Sequence, residues 1–158
     1  MADLSDVAVI FDLDGTLIDS APDIHATANR VMADFGFAAL SLPQVQQFVG
    51  KGLPNLVARL LAHHGQNPAG PLFAPAMARF ETEYLSAHGL TTLYPGVLDA
   101  LQSLQASGAA LGLCTNKPLA PAQAILRHFG LSPLFAAILG GDSLPVRAAR
   151  AAGPDRVG

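Results

Sequence analysis

Tryptophan is absent from these 158 residues, and aromatic side chains make up only 6%. Leucine, alanine and valine must therefore fill most of any interior. One cysteine, Cys114, excludes an internal disulfide and a cysteine-rich zinc site. Charged residues are sparse at 13%, with a formal net charge of -3. No basic stripe runs through the body, so nucleic acid is not an expected partner. No apolar run reaches the ~18 residues that a membrane crossing needs. Nor does a charged segment followed by an apolar one open the chain, and a cytoplasmic protein is expected. His25, His63, His64, His88 and His128 form no metal-ligand grouping.

What is present is a hydrophobic chain, 51% apolar, long enough for one domain with an insert. Residues 7–11, VAVIF, read as a buried strand ending abruptly in the polar DLDGT. From about 21 to 88 the apolar period becomes helical, with segments at 21–35, after Pro54 and at 73–87, and no strand between them. Tyr94-Pro95-Gly96 restarts the chain with a helix at 97–107, closed by Gly108. A second buried strand, AALGLC at 109–114, ends in the polar TNKP, and a helix from Pro118 to His128 follows. LFAAIL at 134–139 reads as a third strand, stopping at Gly140-Gly141-Asp142. Strand, helical insert, helix, strand, helix, strand is the order of an α/β fold with a parallel sheet.

The chemistry-bearing residues collect at two strand ends, where open α/β sheets place their sites. Asp12 and Asp14 stand two apart in FDLDGTLIDS, close enough to share one site. One carboxylate can attack phosphorus and form an aspartyl-phosphate; the other can protonate the leaving alcohol and later deprotonate water. Thr16 offers a hydroxyl in the same loop. A bare Asp-x-Asp also closes many strands as an acidic turn, so the pair alone does not decide the matter. Thr115 precedes a helix, where a hydroxyl and free backbone amides can hold an anion, although such a residue is often only a cap. Asn116 is an auxiliary ligand candidate, while Lys117 either adds charge to the site or is exposed. The Gly-Lys-Gly turn around Lys51 reads either as a flexible linker or as a loop that closes over a substrate. Cys114 reads as a small buried hydrophobe beside Thr115.

The string from the apolar run through DLDGTLIDS resembles the first motif of the haloacid dehalogenase superfamily of phosphatases, and TNKP resembles its second motif in the phosphoglycolate phosphatase form. The resemblance implies a Rossmann-like core of about three strands over 1–16 and 89–147, with a helical cap inserted at 17–88. It implies Asp12 as nucleophile and Asp14 as acid/base, both serving as Mg²⁺ ligands. Thr115, Asn116, Thr16 and the cap residue Lys51 become substrate contacts. A small phosphorylated metabolite is the implied partner, 2-phosphoglycolate first, with sugar phosphates or pyrophosphate as alternatives. A dehalogenase is disfavoured, because those enzymes lack an acid/base Asp at the Asp14 position. Oligomeric state is not legible.

The resemblance stops near residue 147. GGDSLPVR at 140–147 leads toward the family's third motif, but Ala148 and Ala149 stand where its Lys and Pro are expected. The acidic fourth motif, which supplies metal ligands, does not follow. Residues 148–158 show no periodicity and are expected to be a disordered tail, of the composition that out-of-frame GC-rich DNA encodes. A frame change or stop near codon 147 is the expected cause. The resemblance then leaves two outcomes, a hydrolase or an inactive remnant of one. A missing neighbour would also leave the edge of the VAVIF strand exposed beside Asp12.

Overall fold

The β-branched run before Asp12 forms the first strand in the computed structural model, which describes residues 3–144. This strand, β1 (Ala8–Phe11), pairs in parallel with β4 (Ala110–Cys114), and β4 pairs in parallel with β5 (Ala137–Leu139). The sheet order is β1-β4-β5, in the register Ile10–Gly112–Ala137. Helices α5 (Val97–Ala106) and α6 (Leu119–His128) make the crossovers. The chain is therefore α/β, with a parallel three-stranded sheet.

Strand side chains alternate between faces. Val9, Phe11, Leu111, Leu113 and Ile138 pack with Leu101 of α5 and with Ala122, Ile125 and Leu126 of α6. On the opposite face, Ala8, Ile10, Ala110, Cys114, Ala137 and Leu139 are exposed, Ile10 by 70%. The expectation of buried strands thus holds for one face and is corrected for the other. Among the described residues, helices cover one face only. Cys114 is exposed for the same reason, not buried.

Among the described residues β1 has a single strand neighbour, β4, and its other edge is open. Such an edge beside an apolar face is a template for intermolecular pairing. Ile10→Lys is accordingly expected to change the unfolding free energy by no more than ~0.5 kcal/mol. It should also slow aggregation, as read by light scattering over time at matched concentration.

The helical insert holds a second core. It comprises α1 (Ala21–Asp34), α2 (Leu42–Gln46), α3 (Leu53–His63) and α4 (Phe73–Tyr84). Pro22 and Pro54 stand in the first turns of α1 and α3, where a missing N–H costs nothing. Ile24, Val31, Leu56, Leu60, Leu61 and Phe80 share the buried cluster. The short α2 was not anticipated; it carries a reciprocal Ser41–Gln44 capping box. The amide of Asn29 grips the backbone of Leu40 in both directions, at 2.8 and 2.9 Å, which fixes the loop leading to α2.

Two further short strands escaped the sequence pattern. β2 (Ile18–Asp19) and β3 (Thr92–Leu93) pair antiparallel where the chain enters and leaves the insert. Leu17 and Ile18 are buried in the sheet-side cluster rather than in the insert. The packing boundary therefore falls a few residues after 17. Buried Asp23 closes the stem by accepting from Leu90 N at 2.9 Å and from the Thr91 hydroxyl at 2.6 Å. The expected disordered tail at 148–158 lies outside the described residues.

Candidate active site

Both polar loops sit at the carboxyl ends of adjacent parallel strands, so β1 and β4 bring their contents together. Asp12, Asp14, Thr115, Asn116 and Lys117 line one cavity, roofed by Val49, Gly50, Gly52 and Tyr84 of the insert. Asp12 Oδ1 accepts from Leu13 N at 2.7 Å. Its other oxygen has no partner among the described residues. The left-handed Gly15 (φ 77°) turns the loop sharply after Asp14.

Asp14 is held by two donors. The Ser20 hydroxyl donates to Oδ1 at 2.5 Å, and the Lys117 ammonium lies 3.1 and 3.4 Å from the two oxygens. Lys117 is buried, its side chain 1% exposed, which decides between the two sequence readings in favour of a charge within the site. Its ammonium also donates to the Tyr84 hydroxyl at 2.5 Å and lies 4.2 Å from the Tyr84 ring centroid. Burial pushes the Tyr84 phenol above its ordinary range, so it is a neutral partner. Burial works against the Lys117 charge, but the Tyr84 oxygen and Asp14 carboxylate beside it outweigh that, and the net direction is upward.

Thr115 is placed by its N–H donating to the Leu139 carbonyl at 3.0 Å. Its hydroxyl oxygen accepts from Lys117 N at 3.2 Å, which leaves the hydroxyl proton for a ligand. Asn116 donates to the Gly50 carbonyl at 2.9 Å, joining the second loop to the insert. Lys51 is exposed and lines a neighbouring cleft of about 750 Å³ with Glu81, Asn116 and Asp142. Thr16 is exposed and does not line the Asp12 cavity. Asp142 accepts from Leu119 N at 2.8 Å, so one of the α6 amides expected for an anion is already taken.

Sequence reasoning missed Ser20 and Tyr84. No local pattern marks Ser20. Tyr84 carried a usable signal, since a phenol on an otherwise apolar helix face needs a hydroxyl partner when buried.

Two glycines let β5 approach this loop. A Cβ at Gly141 would lie 2.3 Å from the Asn116 carbonyl oxygen, and one at Gly140 would lie 2.4 Å from Leu119 N. Gly141 N also donates to the Lys117 carbonyl at 2.8 Å. Gly141→Ala is expected to push the 115–118 loop outward and to cost about 1–3 kcal/mol by overpacking. Thermal melting checks the cost, and amide chemical shifts of 115–118 check the displacement.

The sheet order sets the carboxylate pair at the end of β1 and the hydroxyl loop at the end of β4 side by side beneath the helical insert. The chain belongs to the haloacid dehalogenase-like hydrolase family, whose pattern matches residues 9–147. It is 49% identical over 144 residues to a phosphoglycolate phosphatase of Rhodobacter capsulatus, an alignment covering 89% of this chain and 64% of that one. Against phosphoglycolate phosphatase 1 of Pseudomonas aeruginosa it is 40% identical over 141 residues, covering 87% and 51%. The crystal structure of a predicted phosphoglycolate phosphatase from Haemophilus somnus superposes with a TM-score of 0.81 at 32% identity, covering 92% of this chain and 66% of that one. The chain thus spans less than two thirds of the length of these curated relatives.

Proposed function

We propose that this site performs phosphomonoester hydrolysis through an aspartyl-phosphate on Asp12, with 2-phosphoglycolate as the preferred substrate and the cytoplasm as its location. The observation that supports it most is the meeting of Asp12, Asp14, Thr115 and Lys117 in one cavity beneath the insert. The relatives named phosphoglycolate phosphatase support the substrate.

In the first step an Asp12 oxygen attacks phosphorus, the ester P–O bond breaks, and Asp14 delivers a proton to the leaving alkoxide. In the second, Asp14 takes a proton from water, whose oxygen displaces Asp12 and releases inorganic phosphate. Thr115 and Asn116 hold the phosphoryl oxygens in both steps. For this to proceed, Asp14 must leave the Lys117 and Ser20 contacts that engage it at rest. The cavity, about 30 Å³, also has to enlarge, since that is room for roughly two waters. We assign Lys51 to the outer cleft, where it meets a substrate carboxylate.

Phosphatases of this family generally use Mg²⁺. The described residues contain no group of three or more metal-ligating side chains, and the Asp14 carboxylate accepts from an ammonium. Asp12 and Asp14 are the carboxylates that would hold the ion, which usually takes one or two from a protein and keeps several waters. The ion pair that engages Asp14 at rest favours one second reading, a site that binds phosphate esters with little turnover. The deciding experiment is hydrolysis of 2-phosphoglycolate, with and without Mg²⁺, by this chain and by Asp12→Asn. Hydrolysis that survives the substitution would sink the Asp12 mechanism; phosphate binding without hydrolysis would select the second reading.

A further inference from the structure

Among the described residues, Lys117 is the only basic side chain lining the Asp12 cavity. Two carboxylates line it as well, so the cavity is formally anionic before any phosphate ester arrives. Attack by one anion on another needs a cation nearby.

An ammonium has three donors and no acceptor. At Lys117 the Tyr84 hydroxyl takes one at 2.5 Å, and the Asp14 carboxylate takes another at 3.1 Å. The second Asp14 oxygen also lies 3.4 Å away, so a phosphoryl group reaches this ammonium by displacing Asp14 rather than by filling an empty place. The Tyr84 contact comes from the insert, whereas Asp14 and Lys117 come from the two strand ends. Tyr84 lines both the small cavity and the larger cleft, so it stands where a ligand would pass from one to the other.

We propose that Lys117 is the cation that receives the phosphoryl group, and that Tyr84 is the positioning residue that holds its ammonium toward the cavity. The inference rests on the phosphatase reading above and names two residues to which that reading gave no such part. Because Tyr84 belongs to α4, any displacement of the insert also displaces the partner of the site's cation. The phosphoryl dianion competes with Asp14 for the same ammonium, so its arrival frees Asp14 from Lys117.

The test uses inorganic phosphate and the full chain. Phosphate affinity, by calorimetry, is expected to fall roughly 10-fold or more in Lys117→Met, as for a hydrogen bond to a charged group. Tyr84→Phe keeps the ring and its edge contact with Phe80, at 5.4 Å between centroids. It should lower the affinity roughly 3- to 10-fold, less than Lys117→Met, because the ammonium stays and loses only one of its acceptors. The buried ammonium should give a slowly exchanging ¹H–¹⁵N signal in the parent chain and lose it in Tyr84→Phe. Asp12→Asn, which removes a like charge, should bind phosphate at least as tightly as the parent. Parent-like affinity in Lys117→Met overturns the Lys117 role while leaving the phosphatase reading intact. An unchanged ammonium signal in Tyr84→Phe overturns the positioning role, even if the methionine variant fails to fold. Absence of phosphate binding in both the parent and Asp12→Asn overturns the reading itself, and the phosphoryl role with it.

Discussion

Asp12→Asn is expected to lower phosphate-ester turnover by roughly 10³-fold or more while leaving the melting temperature almost unchanged. Asn is isosteric, and its amide oxygen can still accept from Leu13 N, so the loop geometry survives. What disappears is the nucleophile, because an amide does not form an acyl phosphate that water can release. The exposed side chain carries no packing whose loss would unfold the chain, so the stability change should stay within ~0.5 kcal/mol. Reduction with borohydride after mixing with substrate traps the covalent intermediate, and mass spectrometry should place it on Asp12. That readout works even where turnover is slow. An adduct on another residue would move the nucleophile elsewhere.

The largest effect on stability is expected at Phe80. Its side chain is fully buried in the insert cluster, one helical turn before Tyr84. Phe80→Ala is expected to cost about 3–5 kcal/mol, the lost transfer energy plus the cavity left behind. For a domain with ~5–15 kcal/mol in hand, that is a large fraction. Urea denaturation should show a lower midpoint at similar slope. Hydrogen exchange adds where the loss falls. Protection lost over 21–87 alone would mark the insert as its own cooperative unit, as its separate core suggests. A cost under ~1 kcal/mol would mean that α1, α3 and α4 close around the vacancy. Because Tyr84 rides on the same helix, Phe80→Ala should weaken phosphate binding as well.

Much of this was legible along the chain. VAVIF before Asp12 and AALGLC before Thr115 are runs too short and too apolar for helices, each ending in polar residues. They formed adjacent parallel strands with their polar ends side by side. Pro22, Pro54, Gly36 and Gly108 punctuated helices where local backbone rules place them. β5 was legible but shorter than LFAAIL suggested, because residues 132–134 coil into a 3₁₀ turn first. The two-residue ladder of β2 and β3 is too short to give any period, and its pairing joins residues about 75 apart.

The amino-acid order by itself determined the α/β class, the helical insert and the placing of Asp12, Asp14 and Thr115 at strand ends, since those follow from periodicity and backbone preference within a few residues. Only the tertiary structure decided that Lys117 is buried and that Tyr84 and Ser20 join the site. It also decided that Asp142 caps α6 and that Cys114 and Ile10 face outward. These depend on which elements pack against which. Burial, ion pairing and exposure are properties of contacts between distant segments, and no local pattern encodes them.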